Sequence, residues 1–190
     1  MKLSILLIAQ LTLVGISSAQ PTHLVRSWQF HSIVNAGLLE GQSGSAFQIQ
    51  TINGTQYRSW FAGIGLGIDY YRYRTLPLFF DLRKEFGSTG NKIFLYSDFG
   101  INFSWVTDKQ KMNYVTDDKF GNNFYSDVGF GYKVAFTQNN SLQLSLGYSY
   151  KKVVETYTTP DYYIYPPTDG NTEQINNRLY RLLIKIGWVF

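Results

Sequence analysis

The chain closes on Tyr180-Arg181-Leu182-Leu183-Ile184-Lys185-Ile186-Gly187-Trp188-Val189-Phe190. Tyr180, Leu182, Ile184, Ile186, Trp188 and Phe190 share one parity, while Arg181, Lys185 and Gly187 occupy the other. Successive side chains of an extended strand point to opposite faces, so one face of this segment can meet lipid and the other cannot. The period of two holds to the last residue.

The same alternation recurs upstream. Leu142, Leu144, Leu146, Tyr148 and Tyr150 alternate with Gln143, Ser145, Gly147 and Ser149, and Val128, Phe130, Tyr132, Val134 and Phe136 with Asp127, Gly129, Gly131, Lys133 and Ala135. Ile93, Leu95, Phe99, Ile101, Phe103 and Trp105 oppose Asp98, Gly100, Asn102 and Ser104. Leu76, Leu78, Phe80 and Leu82 oppose Asp81, Arg83 and Glu85; Trp60, Ala62, Ile64, Leu66, Ile68 and Tyr70 oppose Gly63, Gly65, Gly67 and Asp69; Phe47, Ile49 and Thr51 oppose Gln48 and Gln50. A first strand over about Ser27 to Leu39 completes eight, with Ile33 and Leu39 against its alternation.

The connections alternate too. Asn53-Gly54-Thr55, Gly87 to Asn91 and Gln138 to Ser141 are short, and Asn-Gly is a type I′ hairpin signal. Residues 106–123 and about 155–177 are long links, and both fall at one end. Short turns at one rim and long loops at the other are the rule of outer-membrane barrels, with both chain ends on the periplasmic side.

Residues 1–19 read as a secretory signal: Lys2, an apolar run from Leu3 to Ile16, then small residues Ser17 and Ala19 for cleavage. Residues 20–190 form one domain of about 170 residues. With no cysteine, neither a disulfide framework nor an acylated cysteine is available. Fifteen Tyr, fourteen Phe and four Trp suit a membrane-water interface better than an ordinary soluble domain. The net charge of +4 is small and spread out, and points to no nucleic-acid partner.

A β-sandwich also uses many alternating strands, but its polar parity faces water and is rich in Lys, Glu and Thr. Here that parity carries Gly, Ser, Ala and isolated charges, which suits a narrow barrel interior. The expected fold is therefore all-β, a transmembrane antiparallel up-and-down barrel. The strand count, the loop asymmetry and the ending Leu182, Ile184, Ile186, Trp188, Phe190 resemble the small eight-stranded outer-membrane proteins of the OmpA transmembrane-domain and OmpX type. The resemblance implies an integral protein of the bacterial outer membrane, and makes those five residues the signal read by the barrel assembly machinery. It says little about activity, because that family holds structural proteins, adhesins and lipid-modifying enzymes.

Candidate chemistry is sparse. Gly63-Ile64-Gly65-Leu66-Gly67 lies inside a strand and precedes no helical pattern, so it is lumen packing rather than a nucleotide loop. The two histidines, His23 and His31, lie toward the periplasmic end, and Ser32 is on the opposite face from His31. Asp108, Asp117, Asp118, Asn122 and Asn123 match no calcium-loop spacing and sit among Lys109, Lys111 and Lys119. No catalytic residue, metal site or cofactor is assigned.

Tyr157, Tyr162, Tyr163 and Tyr165 with Pro160, Pro166 and Pro167 suit a recognition loop or, equally, packing on the barrel rim. An extracellular ligand or protein would meet residues 106–123 and 155–177. Arg72, Arg74, Lys151 and Lys152, near the outer strand ends, are candidates for lipopolysaccharide phosphates. The inward parity collects Asp69, Asp81, Glu85, Asp98 and Asp127 against Arg83, Lys133, Arg181 and Lys185, with Asp81 and Asp98 expected to meet Lys133 or Lys185. The functional expectation is a non-catalytic barrel with a closed lumen. A lipid-A-modifying enzyme of deacylase or acyltransferase type and a small pore are the alternatives.

Overall fold

The structure, a computed structural model, describes residues 28–87, 90–106, 116–137, 140–158 and 171–190. The signal segment 1–19, His23 and the tyrosines at 162, 163 and 165 lie outside them. In chain order the strands are β1 (Gln29–Gly41), β2 (Gly44–Tyr57), β3 (Trp60–Asp69), β4 (Thr75–Phe86), β5 (Asn91–Ser104), β6 (Thr116–Gly121), β7 (Asn123–Ala135), β8 (Ser141–Thr158) and β9 (Thr172–Val189). Every pairing is antiparallel, and β9 pairs with both β8 and β1, so eight strands close into a barrel. The sheet has no open edge over that ring, as a barrel in lipid requires.

The short β6 lies outside this ring of eight. It pairs with Val154 to Thr158 of β8, beyond the last β7 partner at Lys151, and so extends the wall past the barrel proper. The long links are accordingly shorter than the sequence suggests. β8 and β9 remain paired up to Thr158 and Thr172, which leaves residues 159–171 as the connection, and the 106–123 link contains β6. The other two connections at this loop end, Gln42-Ser43 and residues 70–74, are short.

Parity sorts the two faces as expected. Leu146, Leu182, Ile184, Ile186, Ile93, Leu95, Phe130 and Trp188 point outward with roughly half their area exposed, while their chain neighbours are buried or, at Lys92 and Gly129, half-buried. Ile33 and Leu39, which break the apolar-polar alternation of β1, do not break its geometry. Both are odd-numbered like Asn35 and Gly37, and point inward at 3% and 0% exposure. The interior holds apolar layers between its charged ones: Ile33, Ile52, Phe61, Phe79, Tyr125 and Val189 form one, and Leu39, Tyr71, Tyr73, Val153, Leu179 and Leu183 another.

The expected Asn53-Gly54-Thr55 turn is a correction. β2 runs through it, pairing Asn53 with Ile64 and Gly54 with Gly63, and the turn falls at Arg58-Ser59 between paired Tyr57 and Trp60. Arg58 takes the left-handed conformation (φ 56°) that a tight two-residue hairpin needs. Gly54 is a packing residue: a Cβ there would fall 2.5 Å from Gly63 Cα and 2.8 Å from the Phe61 ring. Local turn preference is outweighed by inward alternation that continues through Ile52 and Gln56.

Candidate functional site

The barrel interior gathers the charged residues into three levels. At the loop end, Asp69 (β3) accepts an ion pair from Arg181 (β9) and lies 3.1 Å from the ammonium of Lys151 (β8). Lys151 also donates to the Tyr71 carbonyl at 3.0 Å and to Thr75 Oγ1 at 3.1 Å, while the Tyr71 amide donates to Asp69 Oδ1 at 2.7 Å. The 70–74 connector is thereby pinned inward, and the Tyr71 ring is 1% exposed.

Lys151 therefore corrects one expectation. It is 0% exposed and lines the lumen, so it is not a rim contact for lipopolysaccharide. The parity that puts Gln143, Ser145 and Ser149 inside already puts Lys151 there. Lys152 follows the opposite parity.

At mid-depth Asp81 (β4), Asp98 (β5) and Asp127 (β7) are successive cross-strand partners, all 0% exposed. Arg83 chelates Asp81, donating from Nε at 2.8 Å and Nη2 at 2.7 Å, and gives Nη1 to Gln143 at 3.0 Å. Lys185 (β9) donates to Asp127 at 2.8 Å and lies 3.6 Å from Asp98. Tyr96 OH donates to the second Asp127 oxygen at 3.0 Å. Asp98 meets Lys185 as expected, but Asp81 does not: its cation is Arg83, two residues along the same strand face. A planar guanidinium reaches a carboxylate on its own strand in bidentate geometry, and the rings of Phe61, Phe94 and Tyr96 hold it in place, each centroid within 6 Å.

At the end that carries Trp28 and Phe190, Glu85 accepts from Lys92 and Lys133, each at 2.7 Å, and from Gln56 at 2.9 Å. His31 lines the mouth beside this cluster. Ser32 hydroxyl donates to Asn53 Oδ1 at 2.6 Å. Between the middle and lower levels remains a cavity of about 10 Å³, room for about one water. Below it opens a vestibule of about 430 Å³ lined by Gln29, His31, Lys92 and Lys133.

Among residues missed by the sequence reading, Phe79, Phe94, Tyr96 and Tyr125 matter most. Each is an interior aromatic, and three of them lie over a glycine. A Cβ at Gly65 would strike the Phe79 ring, one at Gly131 the Phe94 ring, and one at Gly129 would come within 2.8 Å of Tyr96. The glycine-rich parity noted in the sequence is thus a set of hollows for rings from adjacent strands. The available signal was aromatic residues sharing the inward parity with charges.

The remaining rim residues stand apart. Arg72 lies over the Tyr73 ring at 5.4 Å, and Arg74 stacks on Trp105 at 3.9 Å and donates to its carbonyl at 3.2 Å. β5 and β7 separate that group from Lys152 on β8. Tyr157 OH donates to Glu173 at 2.8 Å, a contact across the β8–β9 extension. Leu182, Ile184, Ile186 and Trp188 form an outward row on β9, and the Phe190 amide and carbonyl pair with Ser32 of β1, which ties the last residue into the closing seam.

A closed eight-strand barrel, apolar outside and filled with side chains and paired charges inside, is the architecture of the small outer-membrane β-barrels. No family model matches the sequence, and no curated protein is significantly similar to it. Among solved structures the chain is similar to Neisserial surface protein A, at 12% identity over 85% of this chain and 95% of that one, with a TM-score of 0.57. It is also similar to the outer membrane protein OprG from Pseudomonas aeruginosa, at 12% identity, the same coverages and a TM-score of 0.53. At such identity the likeness establishes the fold.

Proposed function

We propose that the protein is an integral bacterial outer-membrane barrel with a closed lumen, which acts structurally or through its loops rather than as an enzyme or a pore. The observation that carries this is the interior: among the described residues, ion pairs and aromatic rings occupy each of its three charged levels, and the cavity between the middle and lower levels measures only about 10 Å³. An eight-strand barrel is just wide enough for its side chains to fill. Lipid and lipopolysaccharide are its surroundings, residues 106–123 and 155–177 its contact surface for an extracellular ligand or protein, and both termini face the periplasm.

The native protein should fractionate with outer membranes and migrate faster unboiled than boiled, because a closed ladder resists detergent. In planar bilayers it should show no steady conductance. Recovery as a soluble periplasmic species would defeat the barrel reading; a steady selective current would defeat the closed lumen and favour a pore.

Phe190 gives a further expectation. Its backbone closes the β9–β1 seam, and its ring completes the terminal row read by the assembly machinery. Deleting it should lower the amount of inserted barrel in cells far more than the loss of about 2 kcal/mol of apolar burial implies, whereas refolding into detergent should change little. Equal deficits in both assays would reduce Phe190 to a stability residue.

A further inference from the structure

Lys152 and Arg178 are direct cross-strand partners on β8 and β9. Both are even-numbered, on the parity that points outward in these strands. Opposed side chains on one face of an antiparallel pair have Cβ atoms about 5 Å apart, and like charges so placed repel. Elsewhere in the barrel such a pair is compensated: Lys92 and Lys133 are also cross-strand partners, and Glu85 bridges them. Lys152 and Arg178 have no ion pair or hydrogen bond among the described residues.

Their position explains what could compensate them. One step toward the barrel centre on the same face come Tyr150 and Tyr180, whose rings lie 5.2 Å apart, with Phe124 6.2 Å from Tyr150 and Tyr148 6.2 Å from Tyr180. Tyrosine clusters of this kind mark the depth where headgroups meet acyl chains. Below them the outward row turns aliphatic with Leu144, Leu146, Leu182 and Ile184. Above them the β9 side turns polar with Asn176 and Gln174, opposite Val154 and Thr156 of β8. Two adjacent cations thus sit at phosphate depth directly over an apolar, ring-lined wall.

We infer that Lys152 and Arg178 form a binding site for the phosphate of a membrane lipid headgroup, with Phe124, Tyr148, Tyr150 and Tyr180 receiving that lipid's acyl chains. The inference rests on the transmembrane reading and narrows its rim cations to one site, Lys152 paired with Arg178 through the β8–β9 register. A phosphate oxygen can accept from the Lys152 ammonium while the guanidinium of Arg178 binds in bidentate fashion, which cancels the repulsion between them. The rings supply what free phosphate cannot use.

The test employs the full barrel in detergent, with bound lipid measured by native mass spectrometry. Three probes are used: diphosphorylated lipid A, the same lipid without its phosphates, and inorganic phosphate. The wild type should hold the phosphorylated lipid about tenfold or more tighter than the dephosphorylated one, and the Lys152→Gln/Arg178→Gln variant should lose that preference. Lys152→Arg should keep it. So should Arg58→Gln/Lys84→Gln, which removes the same charge at the opposite rim, where Arg58 lies over Tyr57 and Lys84 over Trp60. An unchanged preference in the Lys152/Arg178 variant, or an equal loss in the Arg58/Lys84 variant, would overturn the site. Displacement of the lipid by inorganic phosphate at comparable concentration would overturn the lipid assignment. The heat-dependent shift in migration of each variant reports separately whether the barrel is intact.

Discussion

Replacing Lys185 by methionine will destabilise the barrel by about 3 to 5 kcal/mol, the usual cost of removing one partner from a buried charge pair. Lys185 is the cation for two carboxylates at once, Asp127 at 2.8 Å and Asp98 at 3.6 Å, and all three side chains are at most 2% exposed. Neither Asp98 oxygen has a hydrogen bond among the described residues, so Lys185 is its principal stabiliser. Arg83 cannot take over, because its nitrogens are committed to Asp81 and Gln143. Methionine keeps the length of the lysine stem and removes only the charge.

The pattern of compensation is the sharper part of this expectation. Lys185→Met combined with Asp98→Asn and Asp127→Asn should be more stable than Lys185→Met alone, since no unpaired buried charge remains. Urea unfolding of the refolded barrel in lipid vesicles measures each variant. A single variant within about 0.5 kcal/mol of wild type would mean that water screens these charges, and the filled-lumen account would fall with it.

The second large effect lies at Gly65, the direct cross-strand partner of Phe79. The Phe79 ring covers the glycine so closely that any Cβ there overlaps it, and the ring cannot retreat: it is 2% exposed and packs on Tyr125 at 5.6 Å between centroids. Gly65→Val should therefore cost at least about 3 kcal/mol, the upper range for overpacking, and reduce the yield of folded barrel. Phe79→Leu alone should cost less, by opening a small cavity. The two changes together should be milder than their sum by about 1 kcal/mol or more, because the branched side chain fills the space that the ring leaves. Strict additivity would show that Gly65 and Phe79 do not interlock.

Much of this protein is written in short-range pattern. The two-sided character of the terminal strand from Tyr180 to Phe190 is a property of parity, and parity needs no knowledge of the fold. Eight such segments imply closure, because an open sheet with an apolar outer face would leave unpaired backbone at its edges. Parity even places residues that composition misassigns: Ile33 and Leu39 are inward by position although apolar, and Lys151 is inward although its sequence neighbourhood suggests the rim.

Register and partner choice belong to the tertiary structure. Which charge meets which depends on the stagger of strands around the ring, and stagger is set by how many residues each turn absorbs. An Asn-Gly pair read as a turn shifts that count, yet β2 continues through Asn53-Gly54 because Gly54 is needed against Gly63 and Phe61. Asp81 finds Arg83 on its own strand face while Lys185 crosses to Asp98 and Asp127, and no local pattern distinguishes those outcomes. The opposition of Lys152 to Arg178 is of the same kind, since the two residues are far apart in sequence and adjacent only through the β8–β9 register. The sequence by itself determined the two faces of each strand and the closed barrel, since both follow from alternation along one chain. Only the tertiary structure decided the pairs, because cross-strand neighbours are selected by the shear of the whole barrel.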